Sequence, residues 1–381
     1  MRVNPRRDAG PRRPRRIVTA GLVLVTVLAA ASGCAGAAPA AVPTSAPPTT
    51  TAPSPTVDAA GVWRVGGEPS ALARCLAAPW SVVPLEGGGA LISERDSGVV
   101  RELAPDGTVR EAGVVPGVVS GGESGLHGLA LHEGRLYAYH GAADDNRVVQ
   151  MPLDGTPGAH SLGEAEVVFS GIPRANTHNG GRIAFGPDGF LYVTTGDAQI
   201  RDAAQDPTAL GGKILRLTSD GESAPGNPFG NEVFSYGHRN VQGIAWTADG
   251  RMWASEFGQN TWDELNLIEQ GGNYGWPLVE GDSDDPAFTT PVATWTTAEL
   301  SPSGVAAVGD TVFVTGLRGE RLWYYDTTTG AKDAAFDGQG RLRDAVAAPD
   351  GTLWVLTNNS DGRGAPREGD DLLLRLPLTS S

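Results

Sequence analysis

The chain has 381 residues, room for one large domain or two ordinary ones, and its 53 Gly and 28 Pro disfavour a long helical bundle and favour short strands joined by turns. It carries 29 Lys+Arg against 44 Asp+Glu, and seven of the arginines lie in the first 16 residues; the remainder, 22 basic against 43 acidic, is −21. So acidic a body repels nucleic acid and anionic lipid, and with 40% hydrophobic and 19% charged residues it buries a core instead of staying disordered.

The N-terminus reads as an address. After the Arg-rich start, Ile17 to Ala30 (IVTAGLVLVTVLAA) is an apolar run short for a membrane span but suited to the core of a secretory signal. It ends in Ala31-Ser32-Gly33-Cys34, which resembles a lipobox, with Cys34 lipidated on its thiol as the mature N-terminus; an ordinary signal peptide is the alternative. Arg15-Arg16 faintly resembles a twin-Arg signal, so the export route stays open. The expected organisation is therefore a lipoprotein-type signal over 1–33, a disordered Ala/Pro/Thr tether over 34–59 and a folded domain over 60–381. The protein is expected outside the cytoplasm, touching the membrane only through a lipid anchor, or secreted if the anchor is not used. Cys75, the second of two cysteines, is expected as a lone, small buried thiol, and no C-x-x-C motif exists.

The body repeats itself. AFGPDGFLYV (184–193), AWTADGRMWA (245–254) and VAAPDGTLWV (346–355) each read as strand, Asp-Gly turn, strand, and Gly accepts the positive φ such a turn needs. Looser copies are VVPLEGGGALIS (82–93), LALHEGRLYA (129–138) and VAAVGDTVFV (305–314). Six copies spaced about 40 to 61 residues apart predict an all-β, six-bladed β-propeller. A sandwich array or solenoid would not explain a repeat that is always strand–turn–strand.

The Asp-Gly turns mark one end of each blade, so residues just before the first strand and just after the second must gather at the other. There stand Glu123, His178, Arg182, His238, Arg239, Asn240, Arg341 and Arg343 before first strands, and Asp197, Glu256 and Arg318 after second strands. A single surface Arg is commonly only solvated. Arg182, Arg239, Arg318, Arg341 and Arg343 on one face of an acidic body, beside an imidazole, predict a concentrated anion site.

HNGGRIAFGPDGFLYVTTGD (178–197), GGKILRL (211–217), YGHRNVQGIAW (236–246) and DELNLIEQGGNYGWP (263–277) resemble the glucose/sorbosone dehydrogenase family, and SPSGVA (301–306), GRLRD (340–344) and DGRG (361–364) fit the same pattern. The resemblance implies aldose oxidation with pyrroloquinoline quinone (PQQ) lying over the propeller axis, its three carboxylates met by the arginines. It implies His178 as the base taking the C1 hydroxyl proton, with Arg239 beside it stabilising charge on the quinone, and Glu123, Asp197, Asn240, Arg318, Arg341 and Arg343 as cofactor contacts. It also implies Ca²⁺, with Gly258, Gln259, Glu264 and Tyr274 resembling a separate structural site, where Gln259 replaces the more usual Pro. An external electron acceptor, a quinone or a small redox protein, completes the expected partners beside the aldose. His238 is expected to be a structural hydrogen-bonding residue, and His127 stands close to the predicted mouth where an aliphatic residue is usual. Two other readings compete: a metal-dependent lactonase on a related propeller, and a propeller without chemistry that binds a glycan or a protein.

Overall fold

The computed structural model describes residues 60–380. Six antiparallel sheets are arranged as the blades of a propeller, and all six sequence repeats form the two innermost strands of a blade. Blade 1 begins with Pro79–Pro84 and Ala90–Glu94, blade 2 with Leu126–His132 and Arg135–Gly141, and blade 3 with Ile183–Phe185 and Leu191–Thr194. Blade 4 begins with Val241–Trp246 and Met252–Glu256, blade 5 with Pro302–Val308 and Thr311–Gly316, and blade 6 with Leu342–Ala347 and Leu353–Thr357. Each innermost strand contacts that of the next blade, and blade 6 contacts blade 1, so the ring is closed. The turn glycines Gly189, Gly250 and Gly351 have φ of 78°, 85° and 76°, the left-handed backbone that the Asp-Gly pairs predict.

Closure uses the chain's beginning. Ser70–Ala73 pairs with Leu373–Leu376 and supplies the outermost strand of blade 6, so the last blade is built from both ends of the domain. Outside the ring, Trp63–Val65 pairs with Leu378–Ser380. Gly61 N–H donates to Asp310 Oδ2 (2.9 Å), and Asp310 N–H returns a bond to the Gly61 carbonyl (2.8 Å).

The apolar interior is a set of six seams between blades. Leu91 and Val100 pack with Leu136 and Met151 between blades 1 and 2. Val193 and Leu215 meet Tyr139 between blades 2 and 3, and Ile214 meets Val241 and Met252 between blades 3 and 4. Trp253 meets Val312 between blades 4 and 5, Phe313 meets Val355 between blades 5 and 6, and Trp354 meets Ile92 between blades 6 and 1. Burying these flat faces stabilises the ring by about 25 cal/mol per Å² of apolar surface. The hub is polar instead. Arg182 donates to Asp344 Oδ2 (2.9 Å), to Ser81 Oγ (3.2 Å) and to the Gln242 carbonyl (3.0 Å), linking blades 3, 6, 1 and 4.

Three expectations are corrected. Cys75 is exposed, in left-handed backbone, and disulfide-bonded, not a lone buried thiol. His127 does not open to the mouth: it is buried, its ring stacked on Trp80 (4.9 Å) and Tyr139 (5.8 Å), because this position lies on the innermost strand of blade 2. Arg182 faces Asp344 and does not line the cleft described below. The leader, the tether and the Cys34 lipidation site lie outside the described residues.

His127 has a consequence for stability. Burial pushes its ring pKa down to about 3, so the folded protein keeps it neutral, whereas an unfolded His titrates near 6.5. The folded value is the lower one, so this contribution is complete above pH 6.5 and is lost as the pH falls toward 3. From pH 7.5 to 5 the loss is about 2 kcal/mol. Asp263 and Glu264, raised by burial to about 7 and about 8, act in the opposite direction over this range, so the expected result is a difference between proteins. Urea unfolding at the two pH values should show His127→Phe lacking a loss of about 2 kcal/mol that the unmodified protein carries.

Candidate active site

Residues far apart in sequence converge on the end of the ring opposite the Asp-Gly turns. Two adjoining cavities open there. One, of about 180 Å³, is walled by Trp80, Arg95, Gln242, Arg341, Arg343 and Arg363; the other, of about 440 Å³, is walled by His178, Arg239, Asn240, Gly258, Gln259 and Asn260. Glu123, Phe257, Ser301 and Arg318 line both, so the two form one cleft.

The loop before blade 3 carries His178 with φ of 60°, left-handed backbone that His adopts seldom and that must be held from outside. Glu123 Oε2 accepts from its backbone N–H (3.0 Å). The ring is fixed at both nitrogens. Nδ1 lies 2.8 Å from Asp197 Oδ1, and Nε2 lies 2.8 Å from Arg239 Nη2. Arg239 can only donate, so Nε2 must be the acceptor and Nδ1–H the donor. The imidazole is therefore neutral with a basic Nε2 at the cleft wall. Burial alone would raise the Asp197 carboxyl; the His178 ring, Gln199 N–H and the Trp276 indole N–H (2.8 Å) outweigh it and keep the carboxyl below its usual range. Arg239 is aimed by the Gln259 side chain (3.1 Å) and the Phe257 carbonyl (3.1 Å), and its guanidinium lies over the Trp276 ring.

Asn240, next in the chain, accepts from Gly180 N–H (2.9 Å) and so ties the loop behind His178 to blade 4. Gly180 leaves no room for a side chain: a Cβ there would lie 2.6 Å from the Thr194 carbonyl oxygen. His238 is wholly buried between Ser235 and Glu256, in line with its expected structural role.

The other wall is cationic. Arg341 and Arg343 flank Asp361, at 3.1 and 3.8 Å, and Arg343 also donates to Gln242 (2.9 Å). Burial pulls the Arg343 guanidinium down to about 9, still charged at neutral pH. Arg341 Nε is buried with no partner, an unspent donor. Arg318 is exposed between the two cavities. Trp80 meets the cleft only at its edge, since its ring is buried, stacked on His127 and covered by the Arg182 guanidinium at 4.4 Å, with Arg343 at 5.9 Å.

The structure thus places His178, Arg239, Glu123, Asn240, Arg318, Arg341 and Arg343 around one cleft, with Asp197 directly behind His178. Gly258 and Gln259 lie at its rim. Glu264 and Tyr274 sit behind it around a separate, ion-sized cavity with Glu256 and Glu280. There the Tyr274 phenol is already used, donating to the Leu267 carbonyl (2.7 Å) and accepting from Glu269 N–H (2.8 Å). Among the described residues no group of three or more His, Cys, Asp or Glu side chains is poised for a metal.

Sequence reasoning missed Arg95, Trp276, Asp361 and Arg363. Arg95 follows the second strand of blade 1 and obeys the same positional rule as Arg318. Trp276 lies in the NYGWP motif and Asp361 and Arg363 in DGRG, so the sequence marked them, but their partners, Asp197 and the arginines, come from other blades and are not named by the motifs.

Fold and cleft define a six-bladed propeller with a cationic pocket and a held imidazole over its hub. Residues 76–375 match the glucose/sorbosone dehydrogenase family. The PQQ-bound aldose sugar dehydrogenase of Streptomyces coelicolor is 46% identical in sequence and superimposes with a TM-score of 0.79, over 86% of this chain and all of that one. Aldose sugar dehydrogenase YliI of Escherichia coli is 29% identical over 74% of this chain and 88% of its own. Quinoprotein glucose dehydrogenase B of Acinetobacter calcoaceticus is 31% identical over 52% and 49%. The chain belongs to the glucose/sorbosone dehydrogenase family.

Proposed function

We propose that the protein is a PQQ-dependent aldose dehydrogenase that oxidises the C1 hydroxyl of an aldose to the lactone. The observation that carries this reading is the neutral His178, with Nε2 facing a cleft whose other wall is guanidinium. The residues fit the cofactor: Arg341 keeps a buried unspent donor and Arg318 stands exposed between both cavities, as a tricarboxylate requires. PQQ would be held by Arg318, Arg341 and Arg343, with Asn240 on the His178 side of the cleft; Asp197, buried behind His178 and outside both cavities, would act only through that ring, and when bound PQQ supplies the hydride acceptor.

The chain's own residues do the proton chemistry. His178 Nε2 takes the hydroxyl proton, and Asp197 stabilises the imidazolium and fixes the tautomer beforehand. Arg239 gives up His178 Nε2 to the substrate and presents its charge where negative charge develops. Phe257, which lines both cavities, narrows the cleft beside His178 and Arg239.

Ca²⁺ belongs to the same proposal. Glu264 is raised first by burial and then by the Glu256 carboxylate, and a hard cation in the adjoining cavity would offset that crowding. Its donors would be Glu264 and the backbone carbonyls of Gly258 and Tyr274, which line that cavity, whereas Gln259 lines the cleft instead.

An extracytoplasmic location is likewise proposed from the leader, and the Cys75 disulfide suits an oxidising compartment. The intact mass of the mature protein decides between an anchored and a secreted form.

The function is tested by adding PQQ and Ca²⁺ to the purified protein, then aldoses with an artificial electron acceptor. The expected result is acceptor reduction and a quinone-dependent rise in melting temperature. Hydrolysis of lactones without quinone, and no response to PQQ, would replace this reading with the lactonase one.

A further inference from the structure

Glu123 and Arg363 stand 240 positions apart in sequence, yet Arg363 Nη1 lies 3.1 Å from Glu123 Oε1. Glu123 belongs to the connection from blade 1 to blade 2, Arg363 to the loop after the second strand of blade 6, and both line the arginine-walled cavity. The ion pair therefore ties these two loops together at the wall of that cavity. Its two ends are anchored differently. Glu123 is fixed: its backbone N–H donates to the Asn176 carbonyl (2.8 Å), its carbonyl accepts from His127 (2.7 Å), and its second carboxylate oxygen holds His178 N–H. The Arg363 side chain is half exposed and Glu123 is its one charged partner, while its backbone N–H is tied to Asp361, the acid between Arg341 and Arg343.

We propose that Glu123–Arg363 is an exchangeable clasp. Arg363 is a binding residue for a carboxylate of the cofactor, and Glu123 is the internal carboxylate that holds its place until the ligand arrives. On binding, the guanidinium swings from one carboxylate to another, and the fixed Glu123 keeps its bond to His178. An exposed ion pair contributes little in water, so exchange is nearly free in energy, whereas a ligand carboxylate in a wall of arginines is held more strongly. This inference rests on the quinoprotein reading.

The test is a titration of the Ca²⁺-loaded protein with PQQ in the absence of sugar and acceptor, followed by quenching of intrinsic tryptophan fluorescence. Arg363→Met is expected to weaken binding about ten- to a hundredfold. Glu123→Gln, which keeps an oxygen for His178 N–H but no charge for Arg363, is expected to tighten it severalfold, and to have no such effect in the Arg363→Met background. Unchanged affinity in Arg363→Met, or weaker binding in Glu123→Gln, overturns the clasp and leaves the quinoprotein reading standing. Absence of PQQ binding by the unmodified protein overturns both. Melting temperatures confirm that each variant is folded.

Discussion

Replacing His178 with asparagine is expected to lower turnover by about 10²- to 10⁴-fold, while PQQ affinity changes little. Asparagine is the informative substitute because the backbone here is left-handed, at φ of 60°, a region that Asn tolerates and Ala does not. The variant keeps the loop and removes the basic nitrogen. The effect should fall on kcat, with KM for the aldose nearly unchanged, since Nε2 acts on a proton and does not bind the sugar ring. Steady-state kinetics at saturating quinone checks this. Turnover within tenfold of the unmodified protein would remove His178 from the base role.

The second large effect concerns stability. Arg182→Met should cost about 3–5 kcal/mol of unfolding free energy, because it leaves the Asp344 carboxylate buried at the hub without its cation. Asp344 would keep its backbone donors Val82 and Ala345, at 3.0 Å each, but lose the only charge that compensates it. The double variant Arg182→Met/Asp344→Leu should recover most of the loss, since replacing both partners removes the buried charge altogether. Urea unfolding of both variants measures the difference. A cost below about 1 kcal/mol would show that the hub is held by the inter-blade seams alone.

Much of the ring was legible in the sequence because the inner hairpins carry a turn that chemistry dictates. The outer strands were not. Glu166–Ile172 and Lys332–Asp337 are largely exposed and lack a recurring turn, so no repeat marks them. The Ser70–Ala73 strand that closes blade 6 was also hidden, since its partner lies about 300 residues away. At the site, the rule that loops opposite the Asp-Gly turns converge brought out His178, Arg239, Arg318, Arg341 and Arg343. It could not say which arginines are free and which are spent. Arg182 obeys the rule yet is consumed by Asp344, and His127 is one strand residue too deep to reach the cleft. Such outcomes depend on side-chain partners supplied by other blades, which a single chain read in order does not reveal.

The tie between Gly61 and Asp310 sets a direction as well as a fold. Asp310 sits in the hairpin turn at one end of the blade 5 strand Thr311–Gly316, and Arg318 stands just past the other end, about 20 Å away. Gly61, at the start of the described chain, thus lies at the end of the disc opposite the cleft. The mouth of the cleft is therefore clear of the described N-terminal strand, and that whole face of the disc is left to ligands and to the loops that shape it.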